Sequence, residues 1–319
     1  MRQAAVSLEN ISKTFGSFKA VDDLNFHIEK GEIYGFLGPN GAGKTTTLRM
    51  MLDILTPTTG NLSILGSPTA GLVRRQIGYL PEERGLYRKM KAAESIAYFA
   101  QLRGVPRGDA NRRAVELMRE FGLEEFTYSR NDALSKGMAQ KVQLLSTIAH
   151  DPELLILDEP FSGLDPINQQ TLEDLIRAQR DAGKTIIFST HVMQHAERLC
   201  DRFLIIAHGQ KRFEGNMQEA RALFSRRINL RTHATREQIL ALGGVHAITD
   251  VSGNENGNVH DFELELDSAD VAQAFLTRAV SNDIPILRFE EAGAALHDIF
   301  VALAGDEAVS EANEKVEAA

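Results

Sequence analysis

Residues 38–45 read GPNGAGKT and fit the pattern G-x-x-x-x-G-K-[ST], between a strand-like run (EIYGFL) and a helix-like run (KTTTLRMMLDIL). In this setting the pattern predicts a phosphate-binding P-loop, because glycines let successive backbone N–H groups turn onto phosphate oxygens. Lys44 is suited to reach the β- and γ-phosphates, and the Thr45 hydroxyl to ligate Mg²⁺. The alternative is a plain glycine turn, which the Lys-Thr pair at this spacing disfavours. The candidate binding residues are Gly38, Asn40, Gly41, Ala42, Gly43, Lys44, Thr45 and Thr46.

Charge and composition narrow the classes of function. The 319 residues carry a net charge of −9, and residues 213–319 alone hold 19 acidic and 8 basic side chains. Such an acidic C-terminal third argues against nucleic-acid binding, so no nucleic-acid partner is expected. The single cysteine, Cys200, excludes an intramolecular disulfide and fits a reducing cytosol. No apolar run approaches the roughly 18 residues of a membrane span, and the N-terminus lacks the apolar stretch of a secretory signal. A soluble chain is expected.

The order of strand-like and helix-like runs predicts an α/β core. From residue 154 the chain alternates LLILD, a helix at 167–181, TIIFST, a helix at 192–199 and RFLIIAH. Strands that alternate with helices imply a parallel sheet covered on both faces. Residues 4–66 read as short strands separated by Gly, Asn, Asp and Pro turns. Residues 91–150 read as helices that interrupt the sheet between two of its strands.

The chain after about residue 213 has a different rhythm. Between INLRTH and ILRFEEA the runs read strand, helix, strand, strand, helix, strand. This order predicts a small ferredoxin-like α+β domain. A last helix follows, with one apolar face over residues 296–303. Residues 305–319 are acidic and Ala-rich, and a frayed tail is expected there.

Two acids follow the apolar run LLIL and supply what a P-loop lacks. Asp158 lies where a carboxylate that holds Mg²⁺ belongs, either directly or through the water shell of the metal. Glu159 is suited to take a proton from the attacking water. The alternative is an ordinary strand end with two solvated acids, which becomes a weak reading beside a P-loop.

Five segments then occur in the order found in ATP-binding-cassette (ABC) ATPases. They are GPNGAGKT, LSKGMAQ (134–140), LLILDEP, SGLD (162–165) and STH (189–191). The chain resembles this family over about residues 5–215, and the LSxGxxQ stretch is the family's signature segment. The run GYLPEERGLY, the reading LSKG instead of LSGG and the C-terminal module are similar to the NatA-like sodium- or drug-efflux branch.

The resemblance implies a domain plan. An ABC ATP-binding domain is expected at 1–213, with a parallel-sheet core, an antiparallel β subdomain and an inserted helical subdomain at about 88–150. An α+β accessory domain is expected at 214–304, followed by the acidic tail at 305–319.

The resemblance also assigns roles near the nucleotide. Phe15, 23 residues before Gly38, matches the aromatic residue that stacks on adenine; a core phenylalanine is the alternative. His191 matches the switch histidine that touches the γ-phosphate, and with Lys44 it would stabilise charge during hydrolysis. A lone histidine is usually structural, but this one follows a strand next to the Glu159 strand.

Three further residues match positions that act across a dimer interface in this family. Ser135 and Gly137 match the signature residues that bind the γ-phosphate of the other copy, and Asp165 matches the loop that links the two sites. Lys136 replaces a usual glycine, so either a phosphate contact or a solvent-facing side chain is expected.

One position departs from the family pattern. A glutamine that contacts Mg²⁺ and the attacking water usually follows YLP, and Glu82 stands there in this chain. A carboxylate is also a Mg²⁺ ligand, although it adds negative charge beside a triphosphate. Glu82 is therefore a candidate metal ligand with Thr45 and Asp158.

Together these features imply an ATP- and Mg²⁺-dependent ATPase that powers a separate membrane permease, with an exporter expected. A homodimer would sandwich two ATP molecules, because one chain carries both halves of the composite site. The expected location is cytoplasmic, on the inner face of the cell membrane. A soluble, non-transport ABC ATPase acting on a macromolecular partner is the main alternative, and a non-catalytic nucleotide sensor is the second.

Overall fold

The computed structural model describes residues 4–83, 85–224, 226–251, 259–266, 269–292 and 294–305. By compactness the chain divides into two units. The larger unit comprises the chain up to Asn216 and from Phe300 onward, and the smaller unit comprises Met217–Ile299. This division passes through the last helix, unlike the predicted domain limits at 213 and 304. The predicted tail lies, from residue 306, outside the described residues.

The strands of the larger unit are β1 (Ala4–Phe15), β2 (Phe18–Glu29), β3 (Ile33–Leu37), β4 (Thr59–Ile64), β5 (Ile77–Leu80), β6 (Leu154–Leu157), β7 (Thr185–Thr190), β8 (Arg202–Ala207) and β9 (Gln210–Gly215). Its α-helices are α1 (Lys44–Met51), α2 (Ala92–Leu102), α3 (Arg107–Glu120), α4 (Lys136–Ile148), α5 (Pro166–Asp181) and α6 (Met193–Leu199). Short 3-10 helices span Ala70–Gln76, Glu124–Phe126 and Asn131–Ala133.

The sheets of this unit have the predicted architecture. Six strands form one sheet in the order β5-β6-β7-β3-β8-β9, with β9 antiparallel to β8 and the other pairs parallel. A separate antiparallel sheet has the order β2-β1-β4. Helices α2, α3 and α4 lie between β5 and β6 in the chain, as the helical pattern predicts. Every residue of β3 is buried, because this strand is central and covered on both faces.

The prediction of short strands over residues 4–66 is wrong for the first two. β1 and β2 each run for 12 residues and pair along their length. Asn10 and Asp23 resemble turn residues in sequence, yet both adopt a left-handed φ at irregular points of the pairing. The amide of Asn10 donates to the Asp23 carboxylate at 3.0 Å, which stabilises a bulge rather than a chain reversal.

The helix after the P-loop is also shorter than its apolar run suggests. α1 ends at Met51, and Asp53 takes a left-handed φ of 59°. The N–H groups of Ile54 and Leu55 both donate to the carbonyl of Arg49, which satisfies the end of the helix outside the regular pattern.

Helix α4 covers the free edge of strand β5. On the side that faces β6, the carbonyls of Gln76 and Leu80 accept hydrogen bonds from the backbone N–H groups of Glu153 and Asp158. The carbonyls of Ile77 and Tyr79 point to the opposite side, where residues at the C-terminal end of α4 contact them. Thr147 Oγ1 donates to Tyr79 O at 3.4 Å, and His150 Nε2 lies 3.1 Å from Ile77 O.

The elements of the smaller unit are α7 (Met217–Ala222), β10 (Arg226–Thr232), α8 (Arg236–Ala241), β11 (Val245–Asp250), β12 (His260–Leu266), α9 (Ala269–Ser281) and β13 (Ile286–Ala292). Helix α10 (Leu296–Ala304) begins in this unit and ends in the larger one. The sheet of the smaller unit has the order β11-β12-β10-β13 with every neighbouring pair antiparallel. That order is the ferredoxin-like arrangement, so the prediction is confirmed. In β12, Phe262, Leu264 and Leu266 alternate inward onto a core that includes Phe275.

Candidate active site

The centre of the six-stranded sheet delivers the glycine-rich loop. β3 ends at Leu37, and a Cβ on Gly38 would lie 2.4 Å from the Ile206 carbonyl oxygen. Gly43 precedes α1 with a φ of 102°, and a Cβ there would lie 2.6 Å from Ala20 O. Gly41 has a φ of 78° and open space where a Cβ would be. The loop therefore requires glycine for close packing at its two ends and for left-handed backbone in its middle.

Among the other predicted loop residues, Ala42 is buried, Asn40 is exposed, and Thr45 and Thr46 are half-buried.

Lys44 folds back across this loop. Its Nζ donates to Gly38 O at 2.7 Å and to Pro39 O at 3.1 Å, and the residue is only 6 % exposed. Burial lowers the pKa of Lys44, and the charges of Glu159 and Asp158 oppose that shift. The amine is thus a buried cation held on backbone carbonyls and facing two carboxylates.

Asp158 follows β6 and touches the loop from the neighbouring strand end. Its Oδ1 accepts from Ser189 Oγ at 2.6 Å and from Thr45 Oγ1 at 3.3 Å. Its Oδ2 is buried without a hydrogen-bond partner. Burial raises the pKa of Asp158, while the hydrogen bonds from Ser189 and Thr45 lower it. An unpartnered buried carboxylate oxygen beside a hydroxyl fits a divalent cation or its water.

Ser189 is a site residue that the sequence reasoning missed. Besides bonding Asp158, its Oγ accepts the backbone N–H of Glu159 at 2.9 Å, and the residue is fully buried. One hydroxyl therefore fixes both acids at the end of β6. The available signal was its place in the STH run, two residues before His191 at the end of a strand next to β6.

Glu159 lies between a cation and an imidazole. Its Oε1 is 3.6 Å from Lys44 Nζ, and its Oε2 is 3.0 Å from His191 Nδ1. The residue is 9 % exposed and has a φ of 46°, a conformation that costs a non-glycine residue strain. The structure thus brings together Lys44, Thr45, Asp158, Glu159 and His191, all expected at the nucleotide.

The described residues offer no ready-made cage for a metal. Within the ranges the structure describes, no group of three or more His, Cys, Asp or Glu side chains is arranged to hold an ion. A Mg²⁺ at Thr45 and Asp158 would take its remaining ligands from phosphate and water, which is how this ion usually binds beside nucleotides.

Glu82 is exposed and follows β5 and Pro81. The N–H of Asp158 donates to the carbonyl of Leu80, which brings this segment next to the Asp158 strand. The charge of Glu82 contributes weakly to the electrostatics of Lys44, where it opposes the lowering of the pKa.

The signature segment packs against a different part of the chain. Ser135 precedes α4 and its hydroxyl accepts the N–H of Met138 at 3.3 Å. Lys136 is exposed, as the solvent-facing alternative predicts, and a phosphate contact across an interface stays a prediction. Its Nζ lies over Gly163, so close that a Cβ on that glycine would be 2.1 Å away. Gln140 Nε2 donates to Pro160 O at 2.7 Å.

Gly137 lies against the start of α5, since a Cβ there would be 2.8 Å from the Asn168 amide. Asp165 accepts the N–H of Asn168 at 2.9 Å, and that bond lowers the pKa of Asp165. In the described part of the chain, no hydrogen bond or ion pair joins Ser135 or Asp165 to the P-loop. The two segments 135–137 and 162–165 therefore form one surface.

Phe15 is 47 % exposed at the end of β1, with Lys13 Nζ 5.1 Å from its ring centroid. The alternative of a core phenylalanine is therefore wrong, and the exposed ring has Lys13 over one face.

Two protein-family models match this chain: ABC transporter over residues 21–162, and the ATP-binding protein DrrA1-3-like C-terminal domain over residues 215–304. The uncharacterized ABC transporter ATP-binding protein YhaQ of Bacillus subtilis (strain 168) is 36 % identical over 300 residues, which is 94 % of this chain and 98 % of YhaQ. The chain belongs to the ABC transporter ATP-binding proteins. It is an ATP-binding transport ATPase subunit of the kind that works with a membrane permease, and the non-transport alternative is not supported.

Other relatives of this ABC subunit carry more specific names. The linearmycin resistance ATP-binding protein LnrL of Bacillus subtilis (strain 168) is 31 % identical, over 93 % of this chain and 97 % of LnrL. NatA of the same organism is 38 % identical, over 63 % of this chain and 83 % of NatA. The solved structure of an ATP binding subunit of an ABC transporter has a TM-score of 0.64 at 33 % identity, covering 69 % of this chain and 93 % of that one. The resemblance to the NatA-like branch with a C-terminal domain is confirmed.

No helix in the described part of this ABC subunit is long and apolar enough to cross a membrane.

Proposed function

We propose that this subunit powers an exporter from the inner face of the cell membrane, where it docks on a separate permease. Support comes from relatives named for linearmycin resistance and for Nod factor export, the first of which matches nearly the full chain. Affinity capture of the full chain from native membranes is expected to retain a protein with several membrane-spanning helices. Recovery of the chain only from the soluble fraction, with no such protein bound, contradicts this location.

The chemistry proposed is hydrolysis of Mg²⁺-bound ATP at the P-loop. The backbone of residues 38–43 would bind the phosphates, and Lys44 would exchange the carbonyls of Gly38 and Pro39 for phosphate oxygens. Thr45 and Asp158 would hold Mg²⁺, which neutralises charge on the phosphates. The buried, unpartnered Oδ2 of Asp158 supports this assignment. The exposed ring of Phe15 would stack on adenine.

Glu159 is proposed as the general base, and its position is the observation that carries the proposal. A base must be fixed within reach of the attacking water. His191 Nδ1 lies 3.0 Å from one oxygen of the Glu159 carboxylate, and Lys44 Nζ lies at the ion-pair distance of 3.6 Å from the other oxygen, which has no hydrogen-bond partner. Ser189 fixes the strained backbone of Glu159. The two cationic or polar partners are then suited to stabilise charge on the γ-phosphate as it transfers.

The test is Glu159→Gln, which keeps the shape of the side chain and removes the basic oxygen. ATP binding is expected to persist while the hydrolysis rate falls by about 10²–10⁴-fold, the usual effect of losing a general base. Glu153→Gln is the matched control, because Glu153 is an exposed acid just before β6. Near-normal turnover of Glu159→Gln would exclude this role.

A homodimer is proposed to complete each site. Ser135 and Gly137 of one copy would bind the γ-phosphate held by the other, and Asp165 would link the two sites. The helix that starts after Ser135 has 13 residues, and Ser135 and Lys136 at its start are exposed, so an anion can approach its positive end. The surface formed by residues 135–137 and 162–165 makes no hydrogen bond or ion pair to the P-loop of its own chain in the described residues. This separation supports the proposal that it contacts the nucleotide of a second copy.

A further inference from the structure

A carboxylate and an imidazole are buried beside the active site without a part in the chemistry described above. Glu173 in α5 is 2 % exposed, and His195 in α6 is 6 % exposed. Nδ1 of His195 lies 3.2 Å from Oε1 of Glu173. Because a carboxylate oxygen can only accept, Nδ1 carries the proton and donates. Burial lowers the pKa of His195, with Glu173 opposing the shift, so the imidazole is neutral at neutral pH.

The imidazole connects the two loops that carry the catalytic pair. His195 stacks on the ring of Phe161, with the centroids 3.9 Å apart and the planes within 11°. Phe161 is 4 % exposed and lies two residues after Glu159, whereas His195 lies four residues after His191. The stack therefore joins the chain that follows the carboxylate to the helix that follows the histidine bonded to it.

Two apolar side chains could fill the volume that Glu173 and His195 occupy, so the presence of a buried polar pair calls for an explanation. A buried carboxylate is costly unless it is paired. Besides His195, the Glu173 carboxylate has two arginines near it, with a guanidinium nitrogen of Arg177 at 3.7 Å and one of Arg198 at 4.0 Å. The stack on Phe161 tolerates both ring orientations that a flip about the ring's own bond interchanges, whereas the hydrogen bond from Nδ1 to Glu173 selects one of them. Glu173 thus ties the stacked ring to α5.

This hold matters because Glu159 has a strained backbone. A left-handed non-glycine residue persists only where its surroundings determine it from several sides. Ser189 holds the N–H of Glu159 on one side. On the other, Phe161 contacts both His195 and Phe188, and the Phe188 ring is nearly perpendicular to it with the centroids 5.8 Å apart.

We propose that Glu173 and His195 are positioning residues for ATP hydrolysis: Glu173 orients the imidazole, and the imidazole, through Phe161, holds the Glu159 carboxylate against Lys44 and His191. This inference rests on the proposed role of Glu159.

The test measures the ATPase kinetics of the full chain together with ATP binding in the absence of turnover. His195→Leu and Glu173→Leu are expected to lower kcat by about 10- to 100-fold, the effect of a small misplacement of a catalytic group. KM and ATP affinity should stay unchanged, because neither residue touches the P-loop. Glu173→Gln keeps an acceptor for Nδ1 and should retain most of kcat.

A double variant separates positioning from stability. Glu173→Leu with His195→Phe places an apolar residue beside a ring, so its thermal midpoint should recover toward wild type while kcat stays low. Met118→Ala, a buried change in α3, is the control that lowers stability without lowering kcat.

The proposal is overturned if kcat is normal in the folded single variants, or if kcat recovers with the thermal midpoint in the double variant. If His195→Leu and Glu173→Leu fail to fold, the kcat values of Glu173→Gln and of the double variant still test the proposal. Glu159→Gln, measured in parallel, separates the two hypotheses. If it retains turnover, the assignment of the base fails whatever His195 does.

Discussion

Glu82 is the residue at which this chain departs most clearly from the family pattern, and its role is still a prediction. If it enters the metal's water shell, Glu82→Gln should raise the Mg²⁺ concentration for half-maximal ATPase by about threefold to fivefold, the change that about 1 kcal/mol of lost attraction produces. Glu82→Ala should raise it further, because no ligand oxygen remains. Glu83→Gln, an exposed neighbour, is the control. Superimposable Mg²⁺ curves for wild type, Gln and Ala would exclude a metal role.

His150 should make stability depend on pH. Burial lowers its pKa from 6.5 to about 4, and Arg103 and Lys184 add to that shift. The folded pKa lies below the unfolded one, so the contribution is present above pH 6.5 and is lost as pH falls toward 4. We expect a loss of about 1–2 kcal/mol over this range, after discounting for partial exposure. Urea unfolding of wild type and His150→Gln at several pH values measures it; equal pH slopes would contradict the assignment.

At the residue scale the sequence predicts which side chains lie together better than it predicts their individual contacts. Spacing within a motif or after a strand restricts where Lys44, Asp158, Glu159 and His191 can lie, and these four residues do meet. Ser189 escaped notice because its role depends on one hydroxyl meeting two segments at once. The contact of Lys136 with Gly163 is not predictable from spacing, because only the fold brings these two residues together.

At the element scale, helices and strands with clear apolar patterns were predicted nearly residue for residue, as in β7 and α5. The failures have a local cause. Asn10 and Asp23 look like turn residues, but a β-bulge uses the same left-handed backbone that a turn uses. Sequence alone does not separate a bulge within a hairpin from the end of a strand.

The junction of α4 with residues 162–165 also belongs to this scale, and it leads to a test of the dimer. Ser135→Arg and Lys44→Ala chains should each be nearly inactive. Mixed in equal amounts, they should recover about a quarter of wild-type ATPase if one site can act alone, because half the dimers are mixed and each has one intact site. Activity no higher than the sum of the separate chains counts against shared sites. Full activity of Ser135→Arg alone would make the segment a surface helix.

At the scale of the whole molecule, the smaller unit is proposed to be a separable accessory domain. A chain ending at Asn216 should fold and bind ATP, since the P-loop and its partners all precede that point. The free energy of unfolding of this shortened chain should fall, because it lacks Phe300, which is 4 % exposed and belongs with the larger unit.

Phe300→Ala in the full chain should lower the free energy of unfolding by about 3–5 kcal/mol. Thermal midpoints and ATP affinity measure both, and an insoluble 1–216 chain would contradict separability.

The cover that α4 gives to β5 has a consequence for behaviour at high concentration. An outermost strand with free carbonyls is a template on which another chain can add its own strand, the first step toward aggregates. Here Thr147 and His150 occupy the outward carbonyls of Tyr79 and Ile77. Gly78 lets the helix end approach so closely that a Cβ would lie 2.6 Å from Thr147 O. The β5 edge of the six-stranded sheet is thus closed to strand addition by a second copy.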